Sequence, residues 1–338
     1  MDEPKTLFDK LWNKHVVRNF SDGRTLLHID THFVQEVTSP GAFDALRQMS
    51  RPVRSPDLTF GVIDHSISTR PGRTAATYEP TRERIEAFQR NCRDFGIRFF
   101  DVNDPEQGIV HVVSPEFGMA LPGSTFVCAD SHTSTIGGIG ALAWGIGTTQ
   151  VLQVLATQML IQRKPRTMSV KFNGKINQGV FAKDLILYLI SQYGIGGGAG
   201  YAIEFSGPAL ESLPLEGRMT VCNMSIEFGG RNGMVAVDDA TVDYVHGRRF
   251  APQGTEWDKA VAEWKTLHSD PGAKFDKEIE IDCSKIGPLV SWGNTPAEVV
   301  AIDQPIPDPG SVGDPDQRKM IERAIAYMDL TPGKTIEG

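Results

Sequence analysis

Short apolar runs alternate with longer amphipathic stretches along the first half of the chain, and most of the runs end on polar residues. Residues 25–30 read as a strand, and residues 40–49 as a helix with Ser39 as its cap. A second strand spans 58–63 and ends on Asp64 and His65. A charge-rich helix follows over 81–95, with Thr81 in the capping position ahead of Glu83. Residues 96–101 give a third strand. The runs 108–113 and 124–128 read as further strands, the latter entered through the turn signal Pro122-Gly123, and a helix is expected from about Ala141 to Gln162. Strands that alternate with helices in this way predict an α/β fold with a largely parallel sheet.

Near Lys164-Pro165-Arg166 the composition shifts and a second α/β unit begins. Residues 167–172 and 201–206 read as strands, 182–192 and 255–264 as helices, and 194–200 as a glycine-dense loop. That loop lacks the Lys-Ser/Thr of a P-loop, so a tight turn is favoured over an anion cradle. Residues 305–316, rich in Pro, Gly and Asp, read as a linker before a helix at 317–328. The expected division is therefore 1–164, 165–304, and a linker with its helix at 305–338.

Bulk composition narrows the function classes. With 338 residues, 40% hydrophobic and 22% charged, the chain is too long for one ordinary core and has the balance of a soluble globular protein. A net charge of −8 without any Lys/Arg tract argues against nucleic-acid or anionic-membrane partners. No apolar run approaches the ~20 residues of a membrane span. The polar start Met1-Asp2-Glu3-Pro4-Lys5 has no signal-peptide h-region, so the expected compartment is the cytoplasm. Cys92, Cys128, Cys222 and Cys283 are dispersed, lack Cys-x-x-Cys spacing and are expected to be reduced, buried thiols rather than a metal site.

Candidate chemistry gathers where apolar runs end: Asp64-His65, His111, Asp130-Ser131-His132, and Asn223 with Glu227. A carboxylate beside an imidazole holds its charged form and fixes its tautomer, which makes a general acid near neutral pH. Two readings of Asp130-Ser131 stand side by side. The pair either faces a cleft at a strand's end or closes an Asx/ST turn on nearby amides. Ser131 lacks a Gly-x-Ser-x-Gly elbow, which argues against a serine hydrolase.

These residues, with their neighbours, resemble the aconitase family. The resemblance is carried by His28-Ile29-Asp30, Glu36-Val37-Thr38-Ser39-Pro40, Asp64-His65, residues 108–113, Leu121-Pro122-Gly123, residues 130–135 and Asn223-Met224-Ser225-Ile226-Glu227. Within the family the chain is most similar to the large subunits of the 3-isopropylmalate dehydratases, through Tyr78-Glu79-Pro80-Thr81, residues 257–261 and residues 305–309. The resemblance implies aconitase-like α/β/α layers and a hydro-lyase. Such an enzyme dehydrates a malate-type 2-hydroxy dicarboxylate and rehydrates it with the hydroxyl moved, in leucine biosynthesis for the isopropylmalate branch. It further implies a [4Fe–4S] cluster acting as Lewis acid and a small partner subunit whose swivelling domain carries the base. By resemblance the acid pairs are Asp64 with His65, Asp130 with His111, and Glu227 with His132. Ser131 and Asn223 would hold substrate, and Asp30 would lie near it.

Departures from the family pattern are equally specific. The cysteine ligands of the cluster and the C-terminal substrate-binding arginines would lie beyond Gly338, so this chain alone is expected to hold no metal and to be inactive. Residues 66–73 carry Arg70 and Arg73 where an Asn-Val-Pro-Thr-like loop is usual, placing two arginines near the cleft or in a solvated loop. Residues 30–35 lose an arginine and a histidine of the usual motif. A related malate, such as citramalate or dimethylmalate, therefore stays open as substrate, as does a cluster-less binding or scaffold role.

Overall fold

A computed structural model describes residues 3–336 and shows a mixed α/β protein built on two parallel sheets. In chain order the first half contributes β1 (Val16–Asn19), β2 (Arg24–His28), β3 (Thr31–Gln35), β4 (Thr59–Val62), β5 (Arg98–Phe100), β6 (Thr125–Cys128), β7 (Leu142–Gly145) and β8 (Met159–Arg163). The second half adds β9 (Arg166–Asn173), β10 (Tyr201–Ser206), β11 (Asn232–Val235), β12 (Lys277–Asp282), and a small hairpin of β13 (Leu289–Ser291) and β14 (Val299–Ala301).

The first parallel sheet runs β5-β4-β3-β6-β7. Its middle strand, β3, is buried at all five positions, as a strand covered on both faces must be. One face packs Val34 and Val127 against Phe43, Phe88 and Val154 of the helices Pro40–Gln48, Glu79–Asp94 and Thr148–Thr157. On the other face Phe33 stacks between Phe60 and Phe126, at 5.4 and 5.3 Å, over Val110, Ile136 and Met219. The second sheet runs β11-β10-β9-β12 and buries Phe172, Phe205 and Leu189 in its own core. An antiparallel sheet β1-β2-β8 flanks the first.

Four expectations from the sequence are corrected. Residues 25–30 are not the strand that leads to the site. They hold β2, in the antiparallel sheet, which ends at His28; the strand that leads to the site is β3, which starts only at Thr31 and whose uniform burial leaves no alternation to read. Residues 108–113 are not a strand: Val110–Glu116 is a helix, despite its β-branched residues. Its first free N–H, on Val110, donates to Asp64 Oδ2 at 2.9 Å, so a tertiary cap overrides local propensity. The long helix expected at 141–162 is broken into β7, the helix Thr148–Thr157 and β8, with Gln158 in the left-handed region (φ 59°) at the break. Ser39 occupies the N-cap position of its helix, though its hydroxyl bonds no helix amide, whereas Thr81 is not a cap. Ser39 Oγ donates to the Gln35 carbonyl at 2.6 Å, and Thr81 Oγ1 donates to the Ser66 carbonyl at 2.8 Å, inside a helix that begins at Glu79.

The glycine loop at 194–200 folds onto Phe228. A Cβ at Gly197 would lie 2.2 Å from that ring, which explains the missing side chain there.

Candidate active site

Parallel strands deliver side chains to one edge of a sheet. Here β4, β3 and β6 lie side by side and place Asp64-His65, Glu36 and Asp130 just past their carboxyl ends. Glu36, fully buried, accepts the backbone N–H groups of Asp64 (3.3 Å), His65 (2.9 Å) and Ser66, pinning the turn that carries the pair. Burial pushes its carboxyl up, against the pull of those N–H donors. Glu36 stood in the family-like motif, but nothing about its spacing signalled this role. Glu36→Ala is expected to cost about 2–4 kcal/mol of stability, read from urea midpoints, because it strands buried N–H donors.

Asp130 is the hub of the site. Its Oδ2 lies 3.2 Å from His65 Nε2 and 3.1 Å from His111 Nε2, and its Oδ1 lies 3.6 Å from His132 Nδ1. Oδ1 also accepts the His132 N–H at 2.8 Å, capping the helical run Ser131–Ile139. Both readings of this turn therefore hold, since one carboxylate closes an Asx turn and faces the imidazoles. Hydrogen bonds to Asp130 and then to Asp64, whose Oδ1 is 2.6 Å from His65 Nδ1, push the His65 imidazole up to about 10. Burial opposes ionisation of Asp130, yet His111 and His65 hold its carboxyl well below the usual range. His65 is thus an imidazolium held between two carboxylates at neutral pH.

His132 Nε2 pairs with Glu227 Oε1 at 2.7 Å, across the two halves of the chain. Asn223 Nδ2 donates to Thr135 Oγ1 (2.8 Å), which donates to the His132 carbonyl (2.6 Å), so Asn223 is wired to the same wall. Thr135 was legible only as part of the motif. His111 stands out because its ring nitrogens are shielded from water and neither has an in-line hydrogen-bond partner, although Nε2 is close to Asp130. It lines a cleft of about 390 Å³ walled largely by apolar groups, among them Ile109, Val112 and Met219.

Asp30 is not brought to this cluster. It precedes β3 at the opposite, amino edge of the sheet, where Oδ2 pairs with His15 Nε2 at 2.8 Å and accepts the Thr125 N–H at 2.8 Å. The expectation that it ends a strand beside the site fails because β2 stops two residues earlier. The Arg73 guanidinium is taken up by protein groups, donating to the Ser68 carbonyl of its own loop (3.1 Å) and, after β5, to the Val102 carbonyl (3.3 Å) and Gln107.

An α/β protein with a carboxylate hub shared by several imidazoles at the carboxyl edge of a parallel sheet is equipped for proton transfer at a bound ligand. The chain belongs to the aconitase family (aconitate hydratase), whose family model matches residues 9–338. Membership supports a hydro-lyase role in general terms. Relatives in this family usually bind a [4Fe–4S] cluster, which needs converging cysteine thiolates. The thiols here do not fit one. Cys92, Cys128, Cys222 and Cys283 are all buried within three separate cores, and burial pushes each thiol up, Cys283 to about 11. No helix among the described residues is long and apolar enough to cross a membrane.

Proposed function

We propose that the chain provides the proton-transfer wall of a hydro-lyase of the 3-isopropylmalate dehydratase type, as the greater part of its large-subunit face. It would act on a malate-type 2-hydroxy dicarboxylate with a small subunit that brings the base. The supporting observation is the Asp130 hub. Eliminating water requires a proton for the departing hydroxyl, and readdition requires that the same group take it back. Asp64 and Asp130 fix His65 as a cation, which keeps the hub neutralised. Asp130 stands behind His111 through Nε2, and His111, the imidazole of this cluster that lines the cleft, is the group assigned to proton transfer. Glu227 orients His132 from the other side. The apolar wall of Ile109, Val112 and Met219 beside His111 suits a malate bearing a branched alkyl substituent.

The test is turnover of 2-isopropylmalate, citramalate and dimethylmalate by the enzyme as purified with any subunit that accompanies it. His111→Ala should lower kcat by about 10²–10⁴-fold with little change in KM. Unchanged turnover removes His111 from the site, and failure on every malate tested removes the hydro-lyase reading. The dispersed, buried thiols favour one second reading, a relative that binds a dicarboxylate without converting it. Saturable binding without turnover in the same preparation would identify it.

A further inference from the structure

His65 and His111 reach the same carboxylate oxygen, Asp130 Oδ2, at 3.2 and 3.1 Å, from two different segments of the chain. His65 follows β4, and His111 lies in the first turn of the helix Val110–Glu116. No β ladder joins those segments, since β4 pairs with β3 and β5 and the chain from β5 to the helix is turns and irregular backbone. Side chains must therefore set the spacing of the two imidazoles. A misplacement of about 1 Å at a reacting group costs on the order of 100-fold in rate. Two hydrogen bonds bridge the gap. The Val110 N–H donates to Asp64 Oδ2 at 2.9 Å, and Gln107 Nε2 donates to the Ile63 carbonyl at 2.6 Å. The peptide between Ile63 and Asp64 is then held at both polar ends, because its N–H donates to Glu36 at 3.3 Å. The Asp64 side chain leaves that peptide, and its Oδ1 lies 2.6 Å from His65 Nδ1.

Gln107 is itself fixed from outside the wall. Its Oε1 accepts an N–H from Arg73 Nη2, and the same guanidinium donates to the Ser68 and Val102 carbonyls at 3.1 and 3.3 Å. An amide suits this place because one end must donate to Ile63 while the other accepts from Arg73. Those two neighbours also leave it a single orientation. The three acceptors of Arg73 are all neutral oxygens, so its charge is directed at them. A charged donor on Oε1 polarises the amide and strengthens its donation from Nε2. Cation, amide and peptide thus form one hydrogen-bonded line that ends on the Glu36 carboxylate. On the other side Gly108 packs against the helix that carries His111, where a Cβ would lie 2.9 Å from Val113 Cγ1. Displacement at position 107 is therefore passed on to that helix.

We propose that Gln107, held by Arg73, is a positioning residue of the proton-transfer wall: it clamps the Asp64-His65 turn to the segment that carries His111, so that both imidazoles meet Asp130 Oδ2. It acts through the Ile63–Asp64 peptide and not on a substrate. The clamp rests on these hydrogen bonds, and its part in proton transfer rests on the hydro-lyase reading above.

The experiment uses the protein with any subunit that accompanies it, isotope-labelled in its imidazole nitrogens. It reads the NMR ring signals of His65 and His111 beside turnover of 2-isopropylmalate, citramalate and dimethylmalate. Each signal is assigned by its loss in His65→Gln or His111→Gln. Gln107→Glu keeps the shape and the bond from Arg73 but sets an oxygen against the Ile63 carbonyl. It should move both ring signals and lower kcat by about 10–100-fold, with KM within about threefold of wild type. Arg73→Met should move the same signals by less, and Arg73→Lys, which keeps the charge and loses the fork, should lie between it and wild type. Because Arg73 acts through Gln107, adding Arg73→Met to Gln107→Glu should cost little more than Gln107→Glu alone. Glu106→Gln is the control. It breaks the surface pair with Arg249 in the same loop and should leave signals and turnover as in wild type. Unmoved ring signals in either variant that folds, strictly additive losses, or equal movement in Glu106→Gln would overturn the clamp. Moved signals in a protein whose wild type converts none of the malates would leave the clamp standing and overturn the hydro-lyase reading. Turnover by wild type with unmoved signals in both variants would do the reverse.

Discussion

Asparagine in place of Asp130 should lower turnover by about 10³-fold while the protein remains folded. The substitution keeps the shape of the side chain, and its carbonyl oxygen can still accept the His132 N–H that starts the run Ser131–Ile139. What it removes is the negative charge that His65 and His111 share at 3.2 and 3.1 Å. His111 then loses its electrostatic backing, and His65 keeps Asp64 alone. The stability profile carries an independent signature. In the folded protein His65 holds its proton to about 10, against 6.5 for the free group. The native state therefore binds more protons across that window, and stability must fall as pH rises through it. The contribution is complete below pH 6.5 and is lost as pH approaches the folded value. Asp130→Asn should flatten this decline, so urea midpoints of variant and wild type should differ most near pH 6.5 and converge toward about 10. A constant gap across the window would mean that Asp130 does not hold the His65 proton.

The individual acids and imidazoles of this wall were legible in the sequence because they end apolar runs or sit in family-like motifs, and the pairs Asp64–His65, Asp130–His111 and Glu227–His132 do meet. Their convergence on one carboxylate was not legible. His65 reaches Asp130 from β4 to β6 across an intervening strand, a relation that depends on strand order and leaves no mark on local spacing. That intervening strand, β3, was itself hidden, since a segment buried on both faces shows no period and its only cue, residues 31–35, merges with the run before it. The same merging put Asp30 at the wrong edge of the sheet. The helix Val110–Glu116 reads as a strand from Ile109, Val110, Val112 and Val113, and only the distant Asp64 carboxylate at its first turn decides otherwise. Buried polar wiring of this kind, including the three N–H groups collected by Glu36, is specified by tertiary position and is invisible to periodicity.

Alanine at position 137 should destabilise the protein by about 3 kcal/mol or more, the largest stability effect expected from adding one carbon to this chain. A Cβ there would sit 1.8 Å from the Gly233 carbonyl oxygen, and one at Gly138 would sit 2.7 Å from Met219 Cα. Both obstacles are rigid. Gly233 lies in β11, and Met219 belongs to the helix Leu215–Asn223, which also carries Asn223. The run Ser131–Ile139 is also bonded to that half of the chain through Ser134, whose Oγ donates to the Cys222 carbonyl (2.8 Å) and accepts the Gly233 N–H (2.7 Å). Neither side can retreat without breaking buried hydrogen bonds, so the added carbon must prise the two halves apart. Alanine at Gly41 is the matched control. It lies in the helix Pro40–Gln48 with nothing within 4 Å of the new Cβ, and should leave stability equal or raise it by up to about 1 kcal/mol. The consequence for chemistry follows from the same contact. His132 opens the run that Gly137 closes against β11, and Glu227 lies on the far side of the junction, 2.7 Å from its imidazole. Any Gly137→Ala protein that folds should therefore lose activity in proportion to its lost stability and regain neither at lower temperature. Wild-type midpoints and turnover in that variant would show that the junction yields, and that the His132–Glu227 pair is not held by this packing.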